Sequence, residues 1–208
     1  MVSKNKHRVL VVDDEQWNVE PLLGFFEECR IPHDHEGDLT VAAERLRAEF
    51  RARRPYTVVI SDNHFDQVLE PRYGINFDGI DLVTILRQRR ALFTASHKNF
   101  IKDFFGADYA KVLLPLDERV MMFSGSAAAD SESNPELYKG IPIVQKFPDR
   151  DGSYCESGVI AQLRAFGIDF SKSPDSIRKN KQSALESGHE ILVRQFLESR
   201  GIHYQDYC

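Results

Sequence analysis

The chain has 208 residues, about 1.4 typical domains, enough to bury a core without disulfides or a structural metal. Its 42% hydrophobic and 28% charged residues exclude wholesale disorder. The 27 Lys and Arg against 32 Asp and Glu, a net charge of −5, argue against nucleic acid as a partner for the whole surface.

Met1 to Arg8 carries three Lys and Arg, and the apolar run that follows, Val9–Val12, is too short for a signal-peptide core or a membrane span. A cytoplasmic protein is expected. Cys29, Cys155 and Cys208 are odd in number and lack the spacing of a zinc site or a redox pair, which reads as reduced thiols.

Lys6 to Val12 is a short β-branched run that ends in Asp13, Asp14 and Glu15, the form of a buried parallel strand with polar groups at its carboxyl end. Val19, Leu22, Leu23 and Phe26 then recur at helical spacing, with Pro21 implying that the regular helix starts after Gln16 or is kinked. Ile31 to Glu36 is a weaker strand. Asp38 or Thr40 can cap a second helix with Val41, Ala42, Leu46 and Phe50 on its inner face. Tyr56 to Ile60 is the clearest strand and runs into Ser61, Asp62, Asn63 and His64, repeating the pattern of an apolar run followed by acid.

After an irregular stretch, Asp78-Gly79 leads into a third helix bearing Ile80, Leu82, Val83 and Leu86. An extra segment follows, in which Phe100, Ile101, Phe104, Phe105, Tyr109, Val112 and Leu113 keep helical spacing. Val120 to Phe123 is a fourth strand closed by Ser124-Gly125-Ser126, Ile141 to Val144 is a fifth closed by Lys146, and Val159 to Phe166 reads as a helix.

Strands alternating with helices about five times predict an α/β fold, with a doubly wound five-stranded parallel sheet covered on both faces. Ligands in such sheets bind beyond the carboxyl ends of the strands. From Ser173-Pro174-Asp175, a helix-start signature, to Gly201, a plausible stop, a further helix carries Leu185, Gly188, Leu192 and Phe196 on one stripe. The expected organisation is therefore one domain over residues 1–170 and a helical extension over residues 171–208.

Asp13, Asp14 and Asp62 gather at one sheet edge, with Ser124 and Lys146 beside them. Three such carboxylates repel one another unless a hard divalent cation neutralises them, and Mg²⁺ suits oxygen ligands and bridges to phosphate. One carboxylate can then attack phosphorus while the ammonium and the hydroxyl stabilise charge on the equatorial oxygens. The set makes an acyl-phosphate site.

The segments Val9-Leu10-Val11-Val12-Asp13-Asp14-Glu15, Val58-Val59-Ile60-Ser61-Asp62, Met122-Phe123-Ser124-Gly125 and Ile143-Val144-Gln145-Lys146 resemble the receiver domain of two-component response regulators, a flavodoxin-like fold. The resemblance implies that Asp62 is the phosphoacceptor and Asp14 a direct Mg²⁺ ligand, with Asp13 acting through water and the backbone carbonyl of His64 completing the protein ligands. It further implies that Ser124 is the hydroxyl that moves toward the phosphoryl group, that Lys146 is its cationic partner, and that the His64 and Ser126 side chains tune hydrolysis. A histidine kinase or phosphotransfer protein would supply the phosphate, and output would pass through protein contacts.

The chain departs from that pattern in a longer loop from Asp62 to Gly79, in the Phe-rich insertion, in Ile143 where the family often has a switch aromatic, and in Lys146-Phe147-Pro148. The region from Ala127 to Lys139 is short and holds Ser131, Ser133, Asn134 and Pro135. These departures bear on the output face rather than on the phosphorylation chemistry. A rival class, the phosphohydrolases of the haloacid dehalogenase type, uses the same residue types but wants Asp-x-Asp after the first strand and its last acid after the Lys. Here Asp62 precedes Ser124 and Lys146, which favours the receiver; a receiver-like scaffold that is never phosphorylated is the third reading.

Other signals have ordinary explanations. His33 and His35 on one strand read as edge residues rather than a second metal site, and Arg45, Arg47, Arg51, Arg53 and Arg54, like Arg87, Arg89 and Arg90, read as helix-end cations rather than a nucleic-acid patch. The Phe-rich segment is expected to pack on the domain's own core in preference to serving a partner. Residues 171–208, with six Lys and Arg against five Asp and Glu, are too few for a DNA-reading domain. Their helix can fold back, serve as output or form a homodimer.

Overall fold

The computed structural model describes residues 7–67, 69–74, 76–144, 146 and 156–168. The expected carboxyl-terminal helix and the Phe147-Pro148 step lie outside them. Five strands, β1 (Val9–Val12), β2 (His33–Glu36), β3 (Val58–Ser61), β4 (Val120–Phe123) and β5 (Ile143–Val144), form one sheet in the order β2-β1-β3-β4-β5. Every pairing is parallel. This is the flavodoxin-like order.

The three central strands are buried at every position because helices cover both faces, which is why they read as continuous rather than alternating apolar runs. Leu10, Val12, Val59, Val120 and Met122 share one core cluster with helices α2 (Leu39–Arg51) and α3 (Gly79–Leu86). The intervening Val9, Val11, Val58, Ile60 and Met121 are equally buried, between 0% and 1% exposed. Strand β2 differs. It lies at the edge and all four of its residues, His33 to Glu36, are half-buried and polar, which explains its weak sequence signal.

Helix α1 (Gln16–Glu28) starts at Gln16 and continues through Pro21, contrary to the later start that proline suggests; Val19 and Phe26 pack fully inside. Helix α2 is capped by Asp38, whose carboxylate accepts from the Thr40 and Val41 N–H groups and from the Gln67 side-chain amide. Its buried face is Leu39, Ala42, Ala43 and Leu46, so Val41, expected inside, is a surface residue at 41% exposure.

Burial disfavours the Asp38 anion, but the Thr40 hydroxyl, which also donates to it, together with these three donors outweighs burial and holds its pKa below the usual carboxylate value. Because the folded pKa is depressed, the stabilisation is full above the unfolded pKa near 3.9 and is lost as pH falls through the folded value. Asp38→Ala is accordingly expected to cost about 1 kcal/mol in urea denaturation at pH 7. Below pH 4 the difference from wild type should shrink; a constant difference would count against the anionic cap.

The Phe-rich insertion is not one helix. It comprises α4 (Ala95–Phe100), a π-helical turn over Ile101–Phe105, a 3₁₀ turn over Gly106–Asp108, and α5 (Tyr109–Leu113). Gly106, at φ +56°, sits at the break, in a backbone region that glycine enters freely. Phe100 and Phe105 are fully buried, and Phe100 stacks on Phe77 at 4.5 Å and meets Phe104 at 4.6 Å. Local burial, rather than display to a partner, accounts for these aromatics.

The fourth-helix region is likewise two short helices, α6 (Ala127–Ser133) and α7 (Pro135–Tyr138). The segment expected as a helix over Val159–Phe166 is a π-helical turn, Glu156–Ile160, leading into α8 (Ala161–Ala165). Among the described residues no helix is long and apolar enough to cross a membrane.

The arginines are engaged locally. Arg45 pairs with Asp34 and Glu36, Arg47 and Arg51 with Asp108, and Arg54 with Glu49. Arg87 donates to the Glu118, Val120 and Gly140 carbonyls, and Arg89 to those of Glu136 and Leu137. These side chains tie elements together.

Candidate functional site

The register builds the site. Val12 pairs with Ser61, so the next residues of the two strands, Asp13 and Asp62, emerge side by side at the point where the strand order reverses. Phe123 pairs with Val144, which delivers Ser124 and, two residues beyond β5, Lys146 to the same edge.

Lys146 is 4% exposed, and its Nζ lies 2.6 Å from Asp13 Oδ2 and 2.7 Å from Asp62 Oδ2. Burial disfavours its ammonium, but the two carboxylates outweigh that and raise its pKa, so it is charged at neutral pH. Asp13 is 1% exposed; burial, with Asp62 adding to it, pushes its carboxyl up to about 6 against the pull of Lys146. The Glu15 N–H donates to Asp13 Oδ1 at 3.0 Å, the Asn63 N–H to Asp62 Oδ1 at 2.6 Å, and the Asp66 N–H to Asp14 Oδ2 at 2.8 Å. The long loop after β3 is thus part of the site, because Asp66 belongs to it.

Carboxylate oxygens of Asp13, Asp14 and Asp62 lie within 4.8 Å of one another, and among the described residues this is the one group placed to share a metal ion. Three carboxylates and one ammonium leave two negative charges, and the donors are hard oxygens, which fits a divalent cation of the Mg²⁺ type. His33 and His35 do not join such a group: the His33 ring bonds the Ile31 carbonyl, and His35 Nε2 donates to the Asp13 carbonyl at 2.7 Å. His35 therefore steadies the backbone of the acid pair, a contact with no signal in the sequence.

Ser124 is buried, its N–H donating to the Val144 carbonyl at 3.1 Å, and its Oγ lies 3.5 Å from Ser126 Oγ. The His64 side chain spans the rim, Nδ1 donating to Asp78 at 3.0 Å and Nε2 to Asp130 at 2.9 Å. Partial burial disfavours the charged imidazole, but these two carboxylates outweigh it and raise its pKa. Asp78 also caps α3 in a capping box with Asp81. Gly79 packs so closely under Asp62 that a Cβ there would meet the Asp62 carbonyl oxygen at 1.8 Å.

Sequence reading missed three further residues at this edge. Asn63, Asp130 and Tyr138 form a bonded group in which the Tyr138 hydroxyl donates to Asn63 Oδ1 and Asn63 Nδ2 donates to Asp130. A buried Asn next to an acid and an isolated Tyr on a four-residue helix carry no pattern that links them. Ile143, at the position where receivers often have a switch aromatic, is half-buried on β5, and the aromatic that reaches the site region comes from α7.

No family model matches the chain, and no curated protein matches it. Among solved structures it is similar to a bacteriophytochrome response regulator, at 17% identity and a TM-score of 0.47 over 80% of this chain and 96% of that one. It is also similar to the receiver domain of a Francisella response regulator, at 17% identity and a TM-score of 0.42 over 77% and 97%. The fold assignment itself rests on this chain's own strand order and register.

Proposed function

We propose that the protein is a phosphoacceptor switch of the receiver type, taking a phosphoryl group onto Asp62 with Mg²⁺ and signalling through protein contacts. The observation that carries this reading is the buried Lys146 ammonium set between Asp13 and Asp62, with Asp14 completing the acid cluster. A histidine kinase or phosphotransfer protein is the donor that this chemistry fits.

A carboxylate oxygen of Asp62 forms the new bond to phosphorus while the bond from phosphorus to the donor's leaving group breaks, and the leaving group departs with the electron pair. Lys146 neutralises charge that develops on the phosphoryl oxygens, and the Ser124 hydroxyl, one residue past β4, is the hydrogen-bond donor for them. Asp13, Asp14, Asp62 and the His64 backbone carbonyl would hold Mg²⁺, which supplies charge neutralisation at the same oxygens. The His64 and Ser126 side chains stand at the rim, where they govern water access. Asp62 lies at 7% exposure, which shields an acyl phosphate from bulk water.

The test is intact-protein mass after incubation with acetyl phosphate and Mg²⁺. Wild type should gain one phosphoryl group, while Asp62→Asn and a metal-free control should gain none. An adduct that persists in Asp62→Asn would place the acceptor elsewhere; turnover of a small phosphate ester without an adduct would favour a phosphohydrolase.

A further inference from the structure

Asn63 directly follows the acceptor, is 1% exposed, and has no part in the carboxylate chemistry above. Its backbone N–H donates to Asp62 Oδ1 at 2.6 Å. Its side chain is held by the two helices that follow Ser124: Nδ2 donates to Asp130 Oδ2 on α6 at 2.7 Å, and Oδ1 accepts from the Tyr138 hydroxyl on α7 at 3.0 Å. One residue thus connects an oxygen of the acceptor, through its backbone N–H, to both helices, through its side chain. At seven and four residues these helices are too short to persist alone, so their placement depends on tertiary tethers. The side chains across their junction, Ser133 to Glu136, are exposed; Arg89 holds the Glu136 and Leu137 carbonyls, and Asp130 and Tyr138 are the side chains that reach Asn63.

We propose that Asn63 couples the state of the Asp62 carboxylate to the α6–α7 pair, so that phosphorylation loosens that pair from the end of β3. The inference rests on the acceptor role of Asp62 proposed above. In the free protein the Asn63 N–H bonds an ionised oxygen, and such charge-assisted bonds are roughly twice as strong as neutral ones. Once either carboxylate oxygen carries phosphorus, Oδ1 is a neutral carbonyl or a bridging oxygen, and the negative charge has moved to the phosphoryl oxygens. The N–H then follows the displaced charge or loses its strong acceptor. In both cases the Asn63 peptide shifts relative to Asp130 and Tyr138, and hydrogen bonds weaken steeply once bent or stretched.

Hydrogen exchange over residues 127–138, read in the full chain with and without acetyl phosphate and Mg²⁺ and with intact mass taken on the same samples, tests this. Phosphorylated wild type should exchange at least about threefold faster in this segment, the effect of losing one hydrogen bond. Tyr138→Phe, which removes only the hydroxyl, should take up the phosphoryl group to the same extent, start from faster exchange, and show less than half of the further increase. Asn63→Ala should likewise start from faster exchange. An adduct in wild type without faster exchange overturns the coupling alone, as does a full increase retained in both variants. Absence of any adduct overturns the acceptor reading, and this inference with it.

Discussion

Gly79→Ala should destabilise the protein by about 4 kcal/mol or more, whereas the same substitution at Gly24 should stabilise it by about 0.5–1 kcal/mol. At Gly79 the added methyl carbon would lie 1.8 Å from the Asp62 carbonyl oxygen, 2.8 Å from its carbonyl carbon and 3.1 Å from the Asn63 oxygen. These are backbone atoms at the end of a central strand, and the Gly79 N–H is itself bonded to the Asn63 carbonyl at 3.0 Å, so neither side can yield without breaking that contact. Gly24 lies inside α1, and a methyl carbon added there would have nothing within 4 Å, so alanine mainly removes unfolded-state freedom. Urea midpoints of the two variants check the contrast. Equal effects would mean that α3 approaches Asp62 less closely than these distances require.

Lys146→Met should cost about 3–5 kcal/mol at pH 7 without divalent cations, because it leaves Asp13 and Asp62 buried against each other with no ammonium between them. Methionine keeps the apolar stem, so the loss reports charge rather than volume. Without the ammonium's pull the Asp13 carboxyl moves further up, beyond the value of about 6 to which burial already pushes it. A raised carboxyl binds its proton more tightly in the folded state, so the variant should regain stability as pH falls from 7 toward 4. Saturating Mg²⁺ should recover part of the loss at pH 7 by neutralising the same oxygens. A loss independent of both pH and Mg²⁺ would show that Lys146 acts by packing alone.

Much of the site is legible in the sequence because it is built from strand ends. Each central strand is an apolar run that stops at a polar residue, and a parallel sheet aligns such stops along one edge, so Asp13, Asp62, Ser124 and Lys146 group together before any contact is known. Other features are ambiguous for physical reasons. The spacing from Phe100 to Leu113 fits one helix, but the Gly106 turn divides it while both halves still bury apolar side chains, Phe100 and Phe105 before the turn and Val112 and Leu113 after it. Val41 follows the apolar rhythm of α2, yet Leu39 and Ala43 take the inward positions. Pro21 suggests a late start, but its missing N–H removes one bond from a helix that packing of Val19 and Phe26 sustains.

The amino-acid sequence by itself determined the α/β class, the strand sequence that sets the acids at one edge, and the chemistry available there. Burial of apolar runs and the separation of like charges are local demands that any compact arrangement of this chain must meet. Only the tertiary structure decided that Lys146 lies between Asp13 and Asp62, that Gly79 must lack a side chain, and that Asn63 joins Asp130 and Tyr138. These contacts span separations of up to 133 residues, from Asp13 to Lys146, and they depend on strand register and helix docking to within a few tenths of an ångström. Residue type and spacing along the chain carry no information at that precision.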